Sequence, residues 1–267
     1  MDKDLLPALL HRTAFGVRFT ALSLTGALDY VRRRGATERF GYVVTPNAQH
    51  VVFINRHRER FGSVYHEHAL LCLCDSQIVR LLARLAGVAL PLCTGSDLTA
   101  ALLAGPLPMG ETVTVIGCEP ELVERLQLRF PGLHIQHYNP PMGFIADAAA
   151  VQSCVEFIEA NPARYVFLAV GAPQSEELAC QLARRGRATG LGLCIGSSLH
   201  FLIGARRRAP RWMRQAGLEW LFRLLQEPRR LWRRVFVESM PLLPLAASAI
   251  LHRLRLRLLP SPPPSMP

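Results

Sequence analysis

Five short segments of this chain set polar groups directly after apolar runs. They are Thr45-Pro46-Asn47, Asp75-Ser76, Thr94-Gly95-Ser96-Asp97, Gly117-Cys118 and Gly171-Ala172-Pro173-Gln174. Together they supply hydroxyls, amides, carboxylates and the exposed backbone N–H groups of helix starts, a set suited to a phosphorylated ligand. Each one alone reads as ordinary turn punctuation. Their recurrence after successive strands marks them as one edge of a sheet, where open α/β folds bind ligands. A sixth stretch, residues 204–230, brings cations: Arg208, Arg211, Arg214 and Arg223 flank an apolar stripe of Leu218, Leu221, Phe222 and Leu225 at i, i+3, i+4, i+7 spacing. Such a segment can lie on a protein body as an ordinary amphipathic helix. It can also offer planar guanidinium forks to phosphate oxygens.

The elements that must position these residues alternate along the chain. Apolar runs at 40–44, 70–74, 112–117, 134–138, 165–170 and 192–196 read as strands, several of them apolar on both faces. Helical patterns at 50–61, 78–86, 98–104, 120–130, 148–160 and 175–185 separate them, and residues 1–40 read as a short helix plus a helical run from Thr20 to Arg34. Asn47 is placed to cap the helix that follows it. This alternation predicts an α/β, Rossmann-like fold, a mainly parallel sheet covered by helices, with an Arg-rich helical C-terminal appendage. The expected division is an α/β ligand-binding body over 1–204, an Arg-rich helical lid over 205–234, and an apolar and basic membrane-contact tail over 235–267 whose Pro/Ser end, 260–267, is expected to be disordered.

Charge sharpens that division. Residues 205–257 hold thirteen Arg against Glu219, Glu227 and Glu238, which accounts for +10 of the chain's +11 and leaves the body near neutral. A cationic appendage on a neutral body fits an anionic membrane surface or nucleic acid. Against nucleic acid, the basic segment is interleaved with Trp, Leu and Pro as if for packing, and no nucleic-acid-binding motif is present. No uninterrupted apolar run reaches the ~20 residues of a membrane span, and Val235–Leu251 is interrupted by Pro241 and Pro244. The alternation of basic and apolar residues at 252–258 could form a strand, but reads better as a surface-lying membrane contact. Without a signal-peptide layout at the N-terminus, a cytoplasmic protein is expected. The seven cysteines form no CxxC pair and sit in apolar runs, which predicts buried thiols instead of disulfides or zinc ligands. His50, His57, His66, His68, His134 and His137 share no metal-ligand spacing.

Several of these segments resemble, in order, the WecG/TagA/CpsF glycosyltransferases. Arg208-Ala209-Pro210, Trp212-Met213-Arg214, Gly217-Leu218-Glu219-Trp220, Phe222-Arg223-Leu224 and Glu227-Pro228-Arg229 look like that family's closing signature. Upstream, Thr45-Pro46-Asn47-Ala48, Asp75, Thr94-Gly95-Ser96-Asp97-Leu98, Gly117, Phe130-Pro131-Gly132-Leu133, Gly143-Phe144 and Gly171–Glu176 follow its pattern over roughly residues 16–234. Three departures stand out. Asp75-Ser76-Gln77 replaces the usual Asp-Gly, Leu92 stands where a basic residue is common, and the Gly171–Gln174 turn is one residue short.

The resemblance implies an inverting, metal-independent transfer of a hexose or N-acetylhexosamine-type sugar from a UDP-sugar to a polyprenyl-diphosphate-linked saccharide, in the synthesis of bacterial surface or exopolysaccharide. It implies a peripheral protein on the cytoplasmic face of the bacterial inner membrane. Inversion needs one carboxylate to take the acceptor's proton, and Asp75 is the candidate, with Thr45 and Asn47 beside it. Thr94, Gly95, Asp97, Gly117, Gly171 and Gln174 are the candidates for the nucleotide-sugar, and Arg208, Arg211, Arg214 and Arg223 for the diphosphates and lipid. No cofactor and no metal are expected, since the only Asp-x-Asp triplet is Asp2-Lys3-Asp4. The expected partners are the donor, the acceptor and an anionic membrane surface, with no nucleic acid and with homo-oligomer formation left open. A non-catalytic membrane scaffold derived from the family, and a basic nucleic-acid-binding protein, are the alternatives.

Overall fold

The computed structural model describes residues 9–258. It opens with a hairpin of β1 (His11–Ala14) and β2 (Val17–Thr20) closed over Phe15-Gly16. Both turn residues have positive φ, 51° and 75°, as a tight two-residue hairpin requires. This corrects the helix expected near the N-terminus. Val17 and Phe19 are fully buried in strand alternation, and a Cβ at Gly16 would come within 2.3 Å of Asn55 Oδ1. The helical run expected from Thr20 begins only at α1 (Leu24–Arg33), where Ser23 Oγ accepts the Gly26 N–H at 3.2 Å. Asp2-Lys3-Asp4 and the Pro/Ser tail at 260–267 lie outside the described residues.

Strand and helix then alternate. β3 (Gly41–Val44) is followed by α2 (Ala48–Arg56) and α3 (Arg58–His66), and β4 (Leu71–Cys72) by α4 (Gln77–Leu85) and α5 (Gly95–Ala104). β5 (Glu111–Ile116) leads to α6 (Pro120–Arg129), β6 (Leu133–Tyr138) to α7 (Ala148–Ala160), β7 (Tyr165–Leu168) to α8 (Gln174–Arg185), and β8 (Leu191–Cys194) to α9 (Ser198–Leu202). The single helix expected over 50–61 is two helices, broken at His57, whose backbone (φ −122°, ψ 43°) leaves the helical region.

The six strands β3–β8 form one parallel sheet in the order β4-β3-β8-β7-β5-β6. The fold is α/β and Rossmann-like. Val51, Val52, Val79, Cys154, Leu178 and Leu182 cover one face of the sheet, and Val31, Leu98, Leu102, Leu122, Leu126 and Leu199 the other. Burial on both faces explains why β3, β7 and β8 read as continuous apolar runs. The neighbouring strands β3 and β8 send α2 and α9 to opposite faces, which opens a crevice at their carboxyl ends. All seven cysteines are free and buried.

The C-terminal quarter is helical: α10 (Arg211–Gln215), α11 (Glu219–Gln226), α12 (Pro228–Arg233), a π-helical turn at Arg234–Glu238, and α13 (Leu242–Leu258). The alternating 252–258 stretch is helix, not strand. Pro244 does not prevent it, because in the first turn a missing N–H costs no helical hydrogen bond. Within Pro228–Arg255 an 18-residue window reaches a mean hydropathy of 1.5, so this stretch has the length and composition to cross a membrane although no uninterrupted apolar run fills it. The path nevertheless breaks at 239–241, and Leu242 and Ala246 pack into the core of the body.

Candidate active site

A cavity of about 910 Å³ lies between the carboxyl ends of β3 and β4 and the C-terminal helices. Asp75 lies on its wall, at the end of the apolar run that contains β4. The backbone here is fixed on both sides: the Asp75 N–H donates to Pro46 O at 3.1 Å, and the Cys93 N–H donates to Cys74 O at 3.0 Å. Burial pushes the Asp75 carboxyl up from 3.8 to about 8, and the charge of Glu219 adds to the rise. Arg223, Arg208 and the Gly95 N–H pull the other way and do not cancel it. Ser76, where the resemblance led to glycine, has extended backbone (φ −150°) that any residue adopts, and its hydroxyl caps α4 by accepting the Val79 N–H at 3.3 Å.

Asn47 lines the same cavity and caps α2. Its Oδ1 accepts the Gln49 N–H at 3.0 Å and the His50 N–H at 3.3 Å, while its own N–H donates to His50 Nδ1 at 3.4 Å. Burial, helped by Arg234, lowers the His50 pKa to about 3, so the imidazole stays a neutral acceptor for this box. Thr45 does not line the cavity; it is buried below it, with Oγ1 3.5 Å from Cys194 O. A Cβ at Gly95 would approach that Oγ1 to 2.9 Å, so glycine is what lets α5 begin this close to β3.

Thr94 caps α5: its Oγ1 accepts the Asp97 N–H at 3.0 Å and donates to Asp97 Oδ2 at 2.7 Å. Asp97 Oδ1 receives Arg208 Nη1 at 2.6 Å and Arg214 Nη1 at 3.3 Å, and Arg208 Nη2 donates to Thr94 Oγ1 at 3.2 Å. The arginines hold the Asp97 carboxyl below the usual range although burial opposes them. Arg211 also lines the cavity, and the Arg223 guanidinium sits 5.3 Å from the Phe201 ring centre. The structure thus brings Asp75, Asn47, Thr94, Asp97 and all four predicted arginines to one cavity.

Besides Thr45, and Gly95 packed against it, neither of which lines the cavity, it leaves three predicted residues farther apart. Gly117, Gly171 and Gln174 stand at the ends of β5 and β7, on the other half of the same sheet edge, and do not line this cavity. The turn at Gly117-Cys118 has positive φ at both residues, 91° and 69°, and His137 Nε2 bridges their carbonyls at 3.1 and 3.2 Å. A Cβ at Gly117 would meet Val170 Cγ1 at 2.8 Å. Gly117 thus sets the close approach of its loop to the Ala169-Val170 backbone, whereas a Cβ at Gly171 would meet open space.

Sequence reasoning missed Glu219 and Arg234, which line the cavity, and Gln77, whose Nε2 donates to Gln215 O at 3.1 Å. Glu219 stood in a quoted motif with no chemistry assigned to it. Arg234 was one arginine among thirteen, and only the π-helical turn places it in the cavity, where burial and the neighbouring Arg223 and Arg230 lower its pKa to about 10. Ile78, Leu92, Val235, Phe236, Met240 and Leu243 make the rest of the wall strongly apolar. Among the described residues no group of three or more His, Cys, Asp or Glu side chains could hold a metal ion. The family model described as "Glycosyl transferase WecG/TagA/CpsF family" matches residues 12–256.

Proposed function

The chain belongs to the WecG/TagA/CpsF glycosyltransferase family, and on that premise we propose that it is an inverting transferase moving a hexose or N-acetylhexosamine-type sugar from a UDP-sugar to a saccharide on polyprenyl diphosphate. The observation that carries this reading is the Asp75 carboxyl, enclosed in a cavity that also holds Asp97, Glu219, Arg208, Arg211, Arg214, Arg223 and Arg234. In the proposed step the acceptor hydroxyl attacks the anomeric carbon from the face opposite UDP. The C–O bond to the β-phosphate breaks, and the hydroxyl proton passes to the ionised Asp75. Negative charge that builds on the departing diphosphate meets guanidinium groups and the N-terminal N–H groups of α2 and α5.

The donor's nucleotide is assigned to the sheet edge that runs from Thr94 and Gly95 toward Gly117, Gly171 and Gln174. What supports this is the common carboxyl edge and the backbone approach that glycine permits there. The apolar wall suits the first isoprene units of the acceptor. Membrane attachment is assigned to the stretch from α12 through the π-helical turn to α13, where Trp232, Phe236, Val237, Met240, Leu243, Leu251 and Leu254 are exposed beside Arg229, Arg230 and Arg233. Lying on the cytoplasmic surface accounts for the break at 239–241 and for Arg234 facing the cavity.

The test is incubation of the purified protein with a panel of UDP-sugars and a short-chain prenyl-diphosphate saccharide, with products weighed by mass spectrometry. One sugar is expected to add to the acceptor. Asp75→Asn is expected to abolish the product while UDP still raises the melting temperature. Undiminished turnover in that variant would remove Asp75 from the chemistry, and failure with every donor would favour a non-catalytic scaffold.

A further inference from the structure

The six arginines of the cavity, Arg80 included, are not equivalent. Arg223 and Arg234 make no hydrogen bond to an acid among the described residues. Arg208 and Arg214 are both engaged by one atom, Asp97 Oδ1, at 2.6 and 3.3 Å. The other oxygen of that carboxylate is taken by Thr94 Oγ1 at 2.7 Å. A single acceptor oxygen under-satisfies two guanidinium forks. Arg208 Nε and Arg214 Nε are indeed buried without a partner among the described residues, and the acid facing Arg208 Nε, Glu219, is 3.8 Å away. A diphosphate has the oxygens to serve both forks bidentately; Asp97 does not.

The segment these arginines belong to is lightly held. α10 has no buried residue, and Gly204 and Gly217 at the two ends of the segment have φ of 72° and 76°, with open space around Gly204. Its other attachments to the body include the Arg206 N–H to His200 O at 3.1 Å, the Gly204 N–H to Phe201 O at 3.2 Å, Arg206 Nη1 to Ser197 Oγ at 3.0 Å, Gln77 Nε2 to Gln215 O, and the buried Ala209. We propose that Asp97 is a latch: its carboxylate holds residues 204–217 against the start of α5 through Arg208 and Arg214, and surrenders both guanidinium groups to the diphosphate of a substrate. Asp97 is then a positioning residue that competes with the ligand and does not touch it. This rests on reading the cavity as a diphosphate site, but not on glycosyl transfer.

The test uses the full-length chain, inorganic pyrophosphate and trypsin, comparing wild type with Asp97→Asn and Arg214→Gln. In Asp97→Asn without ligand, cleavage after Arg206, Arg207, Arg208 and Arg211 is expected to be about fivefold faster, read by mass spectrometry of the peptides. The same variant is expected to bind pyrophosphate about fivefold more tightly by calorimetry, because the internal competitor is gone. Arg214→Gln is expected to be cleaved faster and to bind pyrophosphate more weakly, and it keeps the test open should Asp97→Asn not fold. Weaker or unchanged pyrophosphate binding by Asp97→Asn would overturn the latch. So would tighter binding without faster cleavage, which would mean only that a nearby negative charge had been removed. Neither readout requires turnover, so the latch and the transfer reaction stand or fall separately.

Discussion

The most exposing prediction concerns the protonation of Asp75. A general base must be ionised, and with its pKa raised to about 8 only about one molecule in eleven carries the carboxylate at pH 7. At pH 9 about ten in eleven do, so kcat/KM is expected to rise about tenfold between pH 7 and pH 9 and then level off. The neighbours fix the signs of two variants. Glu219→Gln removes a charge that raises the pKa, so the midpoint moves down and the rate at pH 7 increases. Arg223→Gln removes a charge that lowers it, so the midpoint moves up. Stability follows by linkage. A carboxyl raised from 3.8 to about 8 binds more protons in the folded than in the unfolded chain across that window, so wild-type stability falls as pH rises through it. Asp75→Asn removes that dependence and gains on wild type up to about pH 8, with no further gain above. The assays are initial rates from about pH 6 to about pH 10, which spans the ionisation window, and thermal unfolding in matched buffers. A flat rate profile, or a midpoint in the ordinary carboxylate range, would refute the reasoning that burial beneath the C-terminal helices controls this group.

Four further outcomes are expected, two for the body and two for the C-terminal helices. Gly190→Ala is expected to destabilise the fold by about 3 kcal/mol or more in urea unfolding, because its φ is 87° and a Cβ would sit 2.0 Å from Ala163 O. Asn47→Ala removes the cap of α2 and is expected to cost about 1 kcal/mol in the same measurement. Replacing Trp232 and Phe236 together by Ser is expected to weaken co-sedimentation with anionic vesicles by about tenfold. Wild-type binding to those vesicles is expected to fall steeply with salt, as contacts between arginines and lipid phosphates must.

What the sequence made legible follows a physical rule. Strands buried on both faces appear as apolar runs, and their carboxyl ends appear where Pro, Gly or Asp stops the run. Thr45, Asp75, Gly117 and Gly171 could therefore be placed on one edge before any coordinates. The β1–β2 hairpin escaped because its turn, Phe15-Gly16, carries only one of the usual turn residues, and Phe15 is an uncommon occupant of positive φ. The break at His57 escaped because no Gly or Pro marks it; Phe53, His57 and Phe61 pack as a ring cluster at 4.5–6.5 Å and carry the chain round the corner. In the site, the residue types were legible and their pairing was not. Nothing in the spacing of Asp97 and Arg208 reveals a contact across 111 positions. Nor does composition separate Arg234, turned inward by a π-helical turn, from Arg233 beside it, which is exposed.

The way the C-terminal quarter is held bears on how the proposed reaction would be controlled. Strands β3, β4, β7 and β8 are wholly buried, whereas α10 and α11 contain no buried residue at all. Leu221 and Phe222 are only partly covered, and Leu225 and Trp212 are 71 % and 63 % exposed. Apolar burial therefore contributes little to closing this segment over the cavity, and ion pairs, which are weak when partly hydrated, contribute much of the rest. A structure so balanced responds to whatever surface it meets next. Arg234 and Val235 face the cavity while Trp232, Arg233 and Val237 face outward from the same two turns. A bilayer that fixes the outward residues would thereby fix the inward ones. On the proposed reading, attachment and completion of the cavity are one event, and a soluble acceptor analogue should be used more slowly by the free protein than by protein on vesicles.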